Sequence, residues 1–473
     1  MINKFKTNKS NSWKLTLIVL SYFLVFCALD LLRFFSFTQM SNDVAVFDQA
    51  MWYFIHGKGF YDSIEGYNHL GVHFSPIFGF LTPIYALFPS PVTLIICQVA
   101  AGAVSIIPLF LIARKIFKDE KPALFFALLF SLNHVLQGVT WDLINELAYV
   151  IPLLLFAYYF FLEEKYILMW SMLILGMMCK EEIGLTVGFF GLYLAFLGYK
   201  ESKKSLLLQG FSLFILGMGW SFLCVDVLIP FFRNAPYQYL SSQDRYSMFG
   251  ANTLQSLLIG ILSHPIIAIQ TAFTRPKIFY CLELLAPLAF LSLMAPGPLF
   301  MTIPSLSANL LSKTSMMSMT GNRYPAVLIP FIFISAMYGT KKMMTRSKTP
   351  EKTLNKILKT QLTFTILCTL LFSSTPLRIP FKIPWITQKD RTIRKLISKI
   401  PPGSIVSAQP NFTGLIPHGC FVKPFYQKNA QYLVMDPNFK QWYQDFKVTP
   451  KIAYQKKFIL KISRDGLMIF VRN

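Results

Sequence analysis

The sequence predicts an all-α polytopic membrane protein of about eleven transmembrane helices, with a small C-terminal extracytoplasmic α/β domain. Of its 473 residues, 54% are hydrophobic and only 14% are charged, against about 25% charged in soluble domains. The apolar residues form runs of about 17–25, the length of a helix that crosses a bilayer. After residue 375, shorter runs replace them. Because a soluble fold cannot bury so much apolar surface, this composition excludes a disordered protein, an ordinary soluble enzyme and a nucleic-acid-binding protein.

Eleven apolar runs are interpreted as spanning helices. The N-terminal run is too long for a signal peptide, and no small-residue cleavage site follows it. Residues 72–88 carry Pro76 and Pro83 and are interpreted as a re-entrant or interfacial element. The predicted spans cover residues 15–37, 89–113, 122–138, 147–162, 166–179, 183–199, 206–229, 278–295, 298–312, 324–340 and 359–375.

The formal charge is +23, and the basic residues behind it are distributed as the predicted topology requires. With the N-terminus inside, nineteen Lys and Arg residues fall in inner segments and eight in the outer segments before residue 376. Cytoplasmic loops are enriched in these residues, so we expect a cytoplasmic N-terminus. An odd number of spans then places the C-terminal domain outside, and no nucleic-acid partner is needed to explain the charge.

Residues 1–375 are predicted to form the transmembrane domain, and residues 376–473 the extracytoplasmic domain. In the second domain, Arg391–Ile400 predicts a short helix that ends before Pro401-Pro402-Gly403. Residues 404–408, 432–436, 458–462 and 467–471 are typical of strands. Only Cys420 lies in this domain, and no CxxC pair exists, so neither a zinc site nor a disulfide within it is supported.

The first outer loop, about residues 38–75, is acidic. Asp43 and Asp48 lie in a stretch in which Phe47, Met51 and Phe54 would share one helical face. This pattern indicates an interfacial amphipathic helix whose carboxylates project above the membrane. Helix capping is the simpler interpretation of Asp43, and it fits Asp48 less well because Asp48 lies inside the apolar pattern.

Two histidines follow in the same loop, His69 and His73. Histidines four residues apart could bind a metal from one helical face, but Gly71 and Pro76 argue against a regular helix. A hydrogen-bonding or phosphate-contacting role for His73 is the alternative. Two carboxylates and a histidine in one loop permit a divalent metal ion without requiring one.

Further charged residues fall at the predicted outer ends of spans. Asp142 and Glu146 are four residues apart and would share a helical face. The triplet Lys180-Glu181-Glu182 interrupts two apolar runs. A charged turn in water is its simplest interpretation, and a phosphate partner with a carboxylate counter-charge is the functional one.

Arg323, followed by Tyr324, precedes the tenth predicted span from outside. It could make a bidentate phosphate contact or snorkel at the interface. An outer vestibule that joins these cations to the first-loop carboxylates suits transfer from a phosphate leaving group. A carboxylate would deprotonate the acceptor, and the cations would stabilise the departing phosphate. No sequence motif supports ATP chemistry or serine hydrolysis.

These residues resemble the motifs of a bacterial membrane-protein family named domain of unknown function 2079. The family has an aspartate and then Phe-Asp-Gln with a following Trp, matched here by Asp43, Phe47-Asp48-Gln49 and Trp52. Its His-Phe-Ser-Pro motif begins here at His73, and its Lys-Glu-Asp motif is Lys180-Glu181-Glu182. The family histidine in the Asp142 to Glu146 segment is replaced by Ile144, which puts any acid, base or ligand role of that position in doubt.

The family is similar to the GT-C class of membrane glycosyltransferases. This resemblance implies a GT-C-like fold, a polyprenyl-phosphate sugar lipid as donor, and a location in the bacterial inner (cytoplasmic) membrane. It also implies Asp48 as the leading catalytic base and Asp43 as a second carboxylate. The residues expected at the substrate are His73, Lys180, Glu181, Glu182, Arg323, Tyr324, Gln49, Trp52, Glu146 and Asp142.

Two other functions remain open from the sequence. A transporter or lipid-carrier flippase would use broken helices, which the prolines between residues 287 and 304 permit. A non-catalytic assembly protein would use the C-terminal domain as a binding module, and the missing histidine at Ile144 favours it.

Overall fold

The structure, a computed structural model, describes residues 9–38, 41–142, 144–241, 245–251, 253–438 and 449–472. The chain is mostly helical and carries a small sheet near its end. The α-helices are α1 (Lys9–Phe35), α2 (Asn42–Ile55), α3 (Phe78–Leu87), α4 (Pro91–Phe117), α5 (Glu120–Leu132), α6 (His134–Trp141), α7 (Val150–Leu162), α8 (Tyr166–Met177), α9 (Ile183–Lys200), α10 (Lys204–Leu223), α11 (Ile229–Arg233), α12 (Gln238–Ser241), α13 (Leu254–Ser263), α14 (Pro265–Ala272), α15 (Arg275–Leu285), α16 (Ile303–Leu311), α17 (Leu328–Arg346), α18 (Pro350–Phe372), α19 (Gln388–Ile397) and α20 (Pro450–Gln455). The strands are β1 (Ile405–Ala408), β2 (Phe421–Lys423), β3 (Tyr432–Met435), β4 (Phe458–Arg464) and β5 (Leu467–Arg472).

Among the described residues, five helical stretches are long and apolar enough to cross a membrane. They are Trp13–Phe35, Pro91–Phe117, Ile183–Lys200, Lys204–Arg233 and Tyr324–Arg346. Two bent helix pairs, α5 with α6 and α13 with α14, raise the number to seven if each pair is one span. Shorter apolar helices add further segments, and the count of eleven stays a prediction.

Two regions differ from the predicted spans. The apolar helices α13 and α14 meet at 94° within a stretch that the sequence assigned to an outer segment. The bend falls at His264-Pro265, where proline cannot donate the helical hydrogen bond. The predicted spans 278–295 and 298–312 contain short 3₁₀ turns between α15 and α16, because Pro287, Pro296 and Pro298 interrupt them.

The described residues form two compact units. The first, called the helical unit, comprises the described parts of Met1–Phe26, Val72–Ile77 and Gln98–Lys382. Within it, α9 and α10 approach closely through glycines. A Cβ added at Gly217 would lie 2.3 Å from the carbonyl oxygen of Gly184, and one at Gly191 would lie 2.5 Å from that of Gly210. Small residues allow such close helix packing in a membrane.

The second, called the mixed unit, comprises the described parts of Cys27–Gly71, Phe78–Cys97 and Ile383–Asn473. Its sheet has the order β2-β1-β3-β5-β4, with β2, β1 and β3 parallel and β5 and β4 antiparallel. The short helix and the four strands expected in the C-terminal domain are present. Strand β2, which has only three residues, was not predicted from the sequence.

First-loop residues pack against this sheet within the mixed unit. The Ser63 hydroxyl accepts from the Val422 N–H at 2.7 Å and lies 2.9 Å from the Val422 carbonyl oxygen. At the start of α2, Ser41 donates from its N–H to the carbonyl oxygen of Pro410 at 2.8 Å. The Phe37 and Phe412 rings meet edge to face. The first loop and the C-terminal strands therefore share one core.

Candidate functional site

Asp48, the leading catalytic candidate, lies in the middle of α2 and is buried in the mixed unit. The Tyr85 hydroxyl donates to Asp48 Oδ1 at 2.6 Å. Nε2 of His418, from the loop before β2, lies 2.6 Å from Asp48 Oδ2. Side chains from α3 and from the C-terminal residues therefore cover this carboxylate, and its position above the membrane stays a prediction.

A cavity of about 270 Å³ reaches the Asp48–His418 pair. Its wall includes Phe34 and Phe35 at the end of α1, Ser90 between α3 and α4, and residues 414–418. All of these residues belong to the mixed unit. The cavity thus joins an apolar aromatic wall to a carboxylate and an imidazole, an arrangement found in small-molecule sites.

The other first-loop candidates occupy distinct positions in the same unit. Gln49 is buried, and its Oε1 accepts from the N–H and the hydroxyl of Ser63 at 2.9 and 2.7 Å. The Trp52 ring stacks on His418 with 5.8 Å between ring centroids. Asp43 lies in the first turn of α2 and is partly exposed. Gln49 therefore orders the loop, whereas Trp52 orients a ring beside Asp48.

The Lys180-Glu181-Glu182 triplet lies between α8 and α9 in the helical unit. Lys180 is 2% exposed, and its Nζ lies 3.3 Å from Oε1 of Glu146, which is 1% exposed. Burial alone would lower the pKa of the Lys180 ammonium, but the neighbouring carboxylates, Glu182 first, outweigh burial and raise it. A charged turn in water does not describe this triplet, because Lys180 and Glu181 are both buried.

Glu181 is held by a separate set of donors in the helical unit. His73 Nδ1 lies 2.9 Å from its Oε1, and the N–H of Phe74 donates to its Oε2 at 3.1 Å. The Tyr237 hydroxyl donates to Oε1 as well. Burial would raise the pKa of Glu181, yet His73, Lys180 and Tyr237 together lower it to about 2. Glu181 is thus an ionised carboxylate that fixes His73.

Arg323 and Asp142 form a third pair in this unit. The backbone N–H and the Nε of Arg323 donate to Asp142 Oδ2 at 3.0 and 2.8 Å. Lys180 Nζ lies 5.8 Å above the ring centroid of Tyr324. Three predicted groups therefore lie together as alternating cations and carboxylates. They are the carboxylates at the end of the third predicted span, the Lys180 triplet and the Arg323 motif.

Arg245 and His418 are functional candidates that the sequence did not predict. The Arg245 guanidinium lies 3.8 Å from the ring centroid of Tyr239, and one of its nitrogens lies 3.5 Å from the Tyr324 hydroxyl. The sequence signal that could have indicated Arg245 is an arginine among several tyrosines in residues 237–246. His418 is a single histidine in a loop, and no pattern in the sequence links it to Asp48.

His69 and His73 do not form a shared metal face. A three-residue 3₁₀ turn ends at Gly71 between them. His69 packs on the Phe47 ring with 4.7 Å between centroids, whereas His73 holds Glu181. Across the described residues, no group of three or more His, Cys, Asp or Glu side chains has the arrangement to hold a metal ion.

The apolar helices, the acidic first loop and the C-terminal sheet define a membrane protein with a GT-C-like fold. The chain belongs to the family of predicted membrane proteins DUF2079, whose sequence profile matches residues 33–467. The resemblance found in the sequence is thereby confirmed.

One solved structure with this fold is the crystal structure of ArnT from Cupriavidus metallidurans bound to undecaprenyl phosphate. The TM-score is 0.56 and the sequence identity 12%, and the match covers 98% of this chain and 98% of that chain. At this identity the likeness shows the fold alone. A comparison with curated proteins found no match.

Proposed function

We propose that the protein is an integral-membrane glycosyltransferase that takes its sugar from a polyprenyl-phosphate lipid at the outer face of a bacterial cytoplasmic membrane. The observation that carries this proposal is the first-loop carboxylate of Asp48 at the wall of a cavity. It is supported by the fold shared with ArnT, whose crystal structure holds undecaprenyl phosphate. The N-terminus is then cytoplasmic, and residues 376–473 form the outer domain.

The helical unit carries side chains whose chemistry suits binding of a phosphate group. Lys180, Arg245 and Arg323 offer positive charge and hydrogen-bond donors, and arginine binds phosphate through two parallel N–H donors. Glu146 and Asp142 hold Lys180 and Arg323 in ordered positions. A phosphate group bound there would compete with these carboxylates for the cations.

The test compares Asp48→Asn with wild type in native membranes, which supply the acceptor. The probe is a panel of undecaprenyl-phosphate-linked hexoses and pentoses, and the measurement is release of undecaprenyl phosphate by mass spectrometry. We expect Asp48→Asn to lower release by about 10²-fold or more, the usual contribution of acid–base catalysis, with unchanged expression.

The matched control is Asp465→Asn in the exposed turn between β4 and β5. Asp465 has a φ of 51°, which asparagine tolerates, so release is expected to stay at the wild-type level. Wild-type release by Asp48→Asn would reject the proposal.

A non-catalytic assembly protein is the second candidate, because Asp48 is already paired with His418 and Lys180 with Glu146. On this view Asp48 only fastens the C-terminal residues to the first loop. Asp48→Asn would then increase proteolysis of residues 383–473, and wild-type protein would release no undecaprenyl phosphate from any donor.

A lipid-carrier flippase is favoured by the 94° bend between α13 and α14 and by the 3₁₀ turns around Pro296. Such a protein would move a fluorescent polyprenyl phosphate across proteoliposomes without cleaving a sugar from it. Sugar release coupled to Asp48 separates the glycosyltransferase from this alternative.

A further inference from the structure

The C-terminal residues deliver an imidazole to the candidate catalytic carboxylate. His418 Nε2 lies 2.6 Å from Asp48 Oδ2, although 370 positions separate the two residues in the chain. Trp52 stacks on the imidazole at an interplanar angle of 27°. Asp48 and Trp52 both lie on α2, so one rigid helix sets both the position and the tilt of the ring.

The hydrogen bonds around Asp48 determine the tautomer of His418. An ionised carboxylate only accepts hydrogen bonds, and Tyr85 donates to Oδ1 at 2.6 Å. The short contact at Oδ2 therefore requires the proton of His418 to be on Nε2. In the neutral imidazole Nδ1 then carries the lone pair, and no hydrogen-bond partner for Nδ1 occurs among the described residues.

Exposure distinguishes the two candidate bases. The Asp48 side chain is 7% exposed and the His418 side chain is 25% exposed, and both line the same cavity. Both carboxylate oxygens of Asp48 already accept hydrogen bonds. An acceptor molecule in the cavity therefore has better access to the imidazole than to the carboxylate.

We propose that His418, supplied by the C-terminal domain, is the group that takes the proton of the acceptor, and that Asp48 orients it; this inference rests on the proposed glycosyltransferase function. The acceptor O–H or N–H loses its proton to Nδ1 while its oxygen or nitrogen bonds to the anomeric carbon of the sugar. The bond from that carbon to the phosphate oxygen breaks, and polyprenyl phosphate leaves with the electron pair. The imidazolium is stabilised by Asp48 through Nε2–H.

The experiment uses the full-length protein in native membranes with the same undecaprenyl-phosphate sugars. We expect His418→Ala to lower kcat/KM for release of undecaprenyl phosphate by about 10²-fold or more. The acidic limb of the pH profile of kcat/KM should disappear, and added imidazole should restore part of the rate. Asp48→Asn in the His418→Ala background should cost little more, because residues that act as a unit are not additive.

His56→Ala is the matched control. His56 also lies on Trp52, with 4.1 Å between ring centroids, and its Nδ1 bonds the Trp52 carbonyl oxygen at 2.7 Å. Asp48 is not among its contacts in the described structure. We therefore expect His56→Ala to keep the wild-type rate and pH profile.

The outcomes separate the two proposals. If wild-type protein releases nothing from any donor, the glycosyltransferase function and the role of His418 both fail. If wild type is active and Asp48→Asn is not, but His418→Ala stays within about twofold of wild type, the function stands and the role of His418 is overturned. Loss of activity in His418→Ala without imidazole rescue and with an unchanged pH profile also overturns it, because that result describes a structural residue.

Discussion

Removal of Lys180 should strongly destabilise the helical unit. Its partner Glu146 is 1% exposed, and neither carboxylate oxygen of Glu146 has a hydrogen bond in the described structure. Lys180→Met leaves this buried negative charge without its ion pair. Breaking a buried ion pair from one side costs about 3–5 kcal/mol, so we expect a loss of that size in the free energy of unfolding.

The buried ion pair predicts a large coupling free energy between positions 180 and 146. Glu146→Gln removes the buried charge, so the double variant should be more stable than Lys180→Met alone, by about 2 kcal/mol. The assay is a double-mutant cycle of denaturant unfolding in mixed micelles, followed by tryptophan fluorescence.

Lys203→Met is the control for this cycle, because Lys203 pairs with Glu201 at 2.9 Å but is half-exposed. Its loss should change stability little, since exposed ion pairs contribute little. Two results would refute a structural role for the buried pair. One is a Lys180→Met variant as stable as the Lys203→Met variant, and the other is a double variant whose loss of unfolding free energy equals the sum of the two single losses.

Two further predictions concern each unit separately. Burial raises the pKa of Asp62 in the first loop to about 8 and outweighs the hydrogen bonds that would lower it. Between about pH 4 and pH 8 the folded protein therefore keeps a proton that the unfolded chain releases, so the free energy of unfolding falls as the pH rises. Asp62→Asn should flatten that dependence in thermal unfolding scans, and an unchanged slope would contradict it. Gly217→Leu should abolish the folded protein seen by size-exclusion chromatography in detergent, because its Cβ would meet the Gly184 carbonyl oxygen. The control is Gly219→Leu on the same helix, where a Cβ meets nothing within 4 Å. Equal yields of folded protein from the two variants would contradict the prediction.

The parts of the fold that sequence predicted were those set by local patterns. Long apolar runs gave α1, α4, α9 and α10 near their observed limits, because membrane depth fixes the length of an apolar helix. Alternation and turn residues located four of the five strands. The helices α13 and α14 were missed because His264-Pro265 divides their apolar run into pieces too short to count as a span.

The site was predictable only in part, for a physical reason. Charged residues in an apolar chain are conspicuous, so Asp48, Glu146, Lys180 and Arg323 stood out. Their pairing did not, because ion pairs depend on which helix ends meet. For the same reason the sequence suggested Glu181 or Glu182 as the counter-charge of Lys180. Glu182 does help to raise the pKa of the Lys180 ammonium, but the carboxylate that pairs with Lys180 Nζ, at 3.3 Å, is that of Glu146.

The separation of Asp48 from His418 along the chain has a consequence for biosynthesis. Asp48 is synthesised 370 residues before its partner His418. The helices from α3 to α19 are all made before the two residues can meet, so a chain that stops short of residue 418 cannot assemble the pair. Formation of the pair is thereby coupled to synthesis of the chain through residue 418, and shorter chains remain without it.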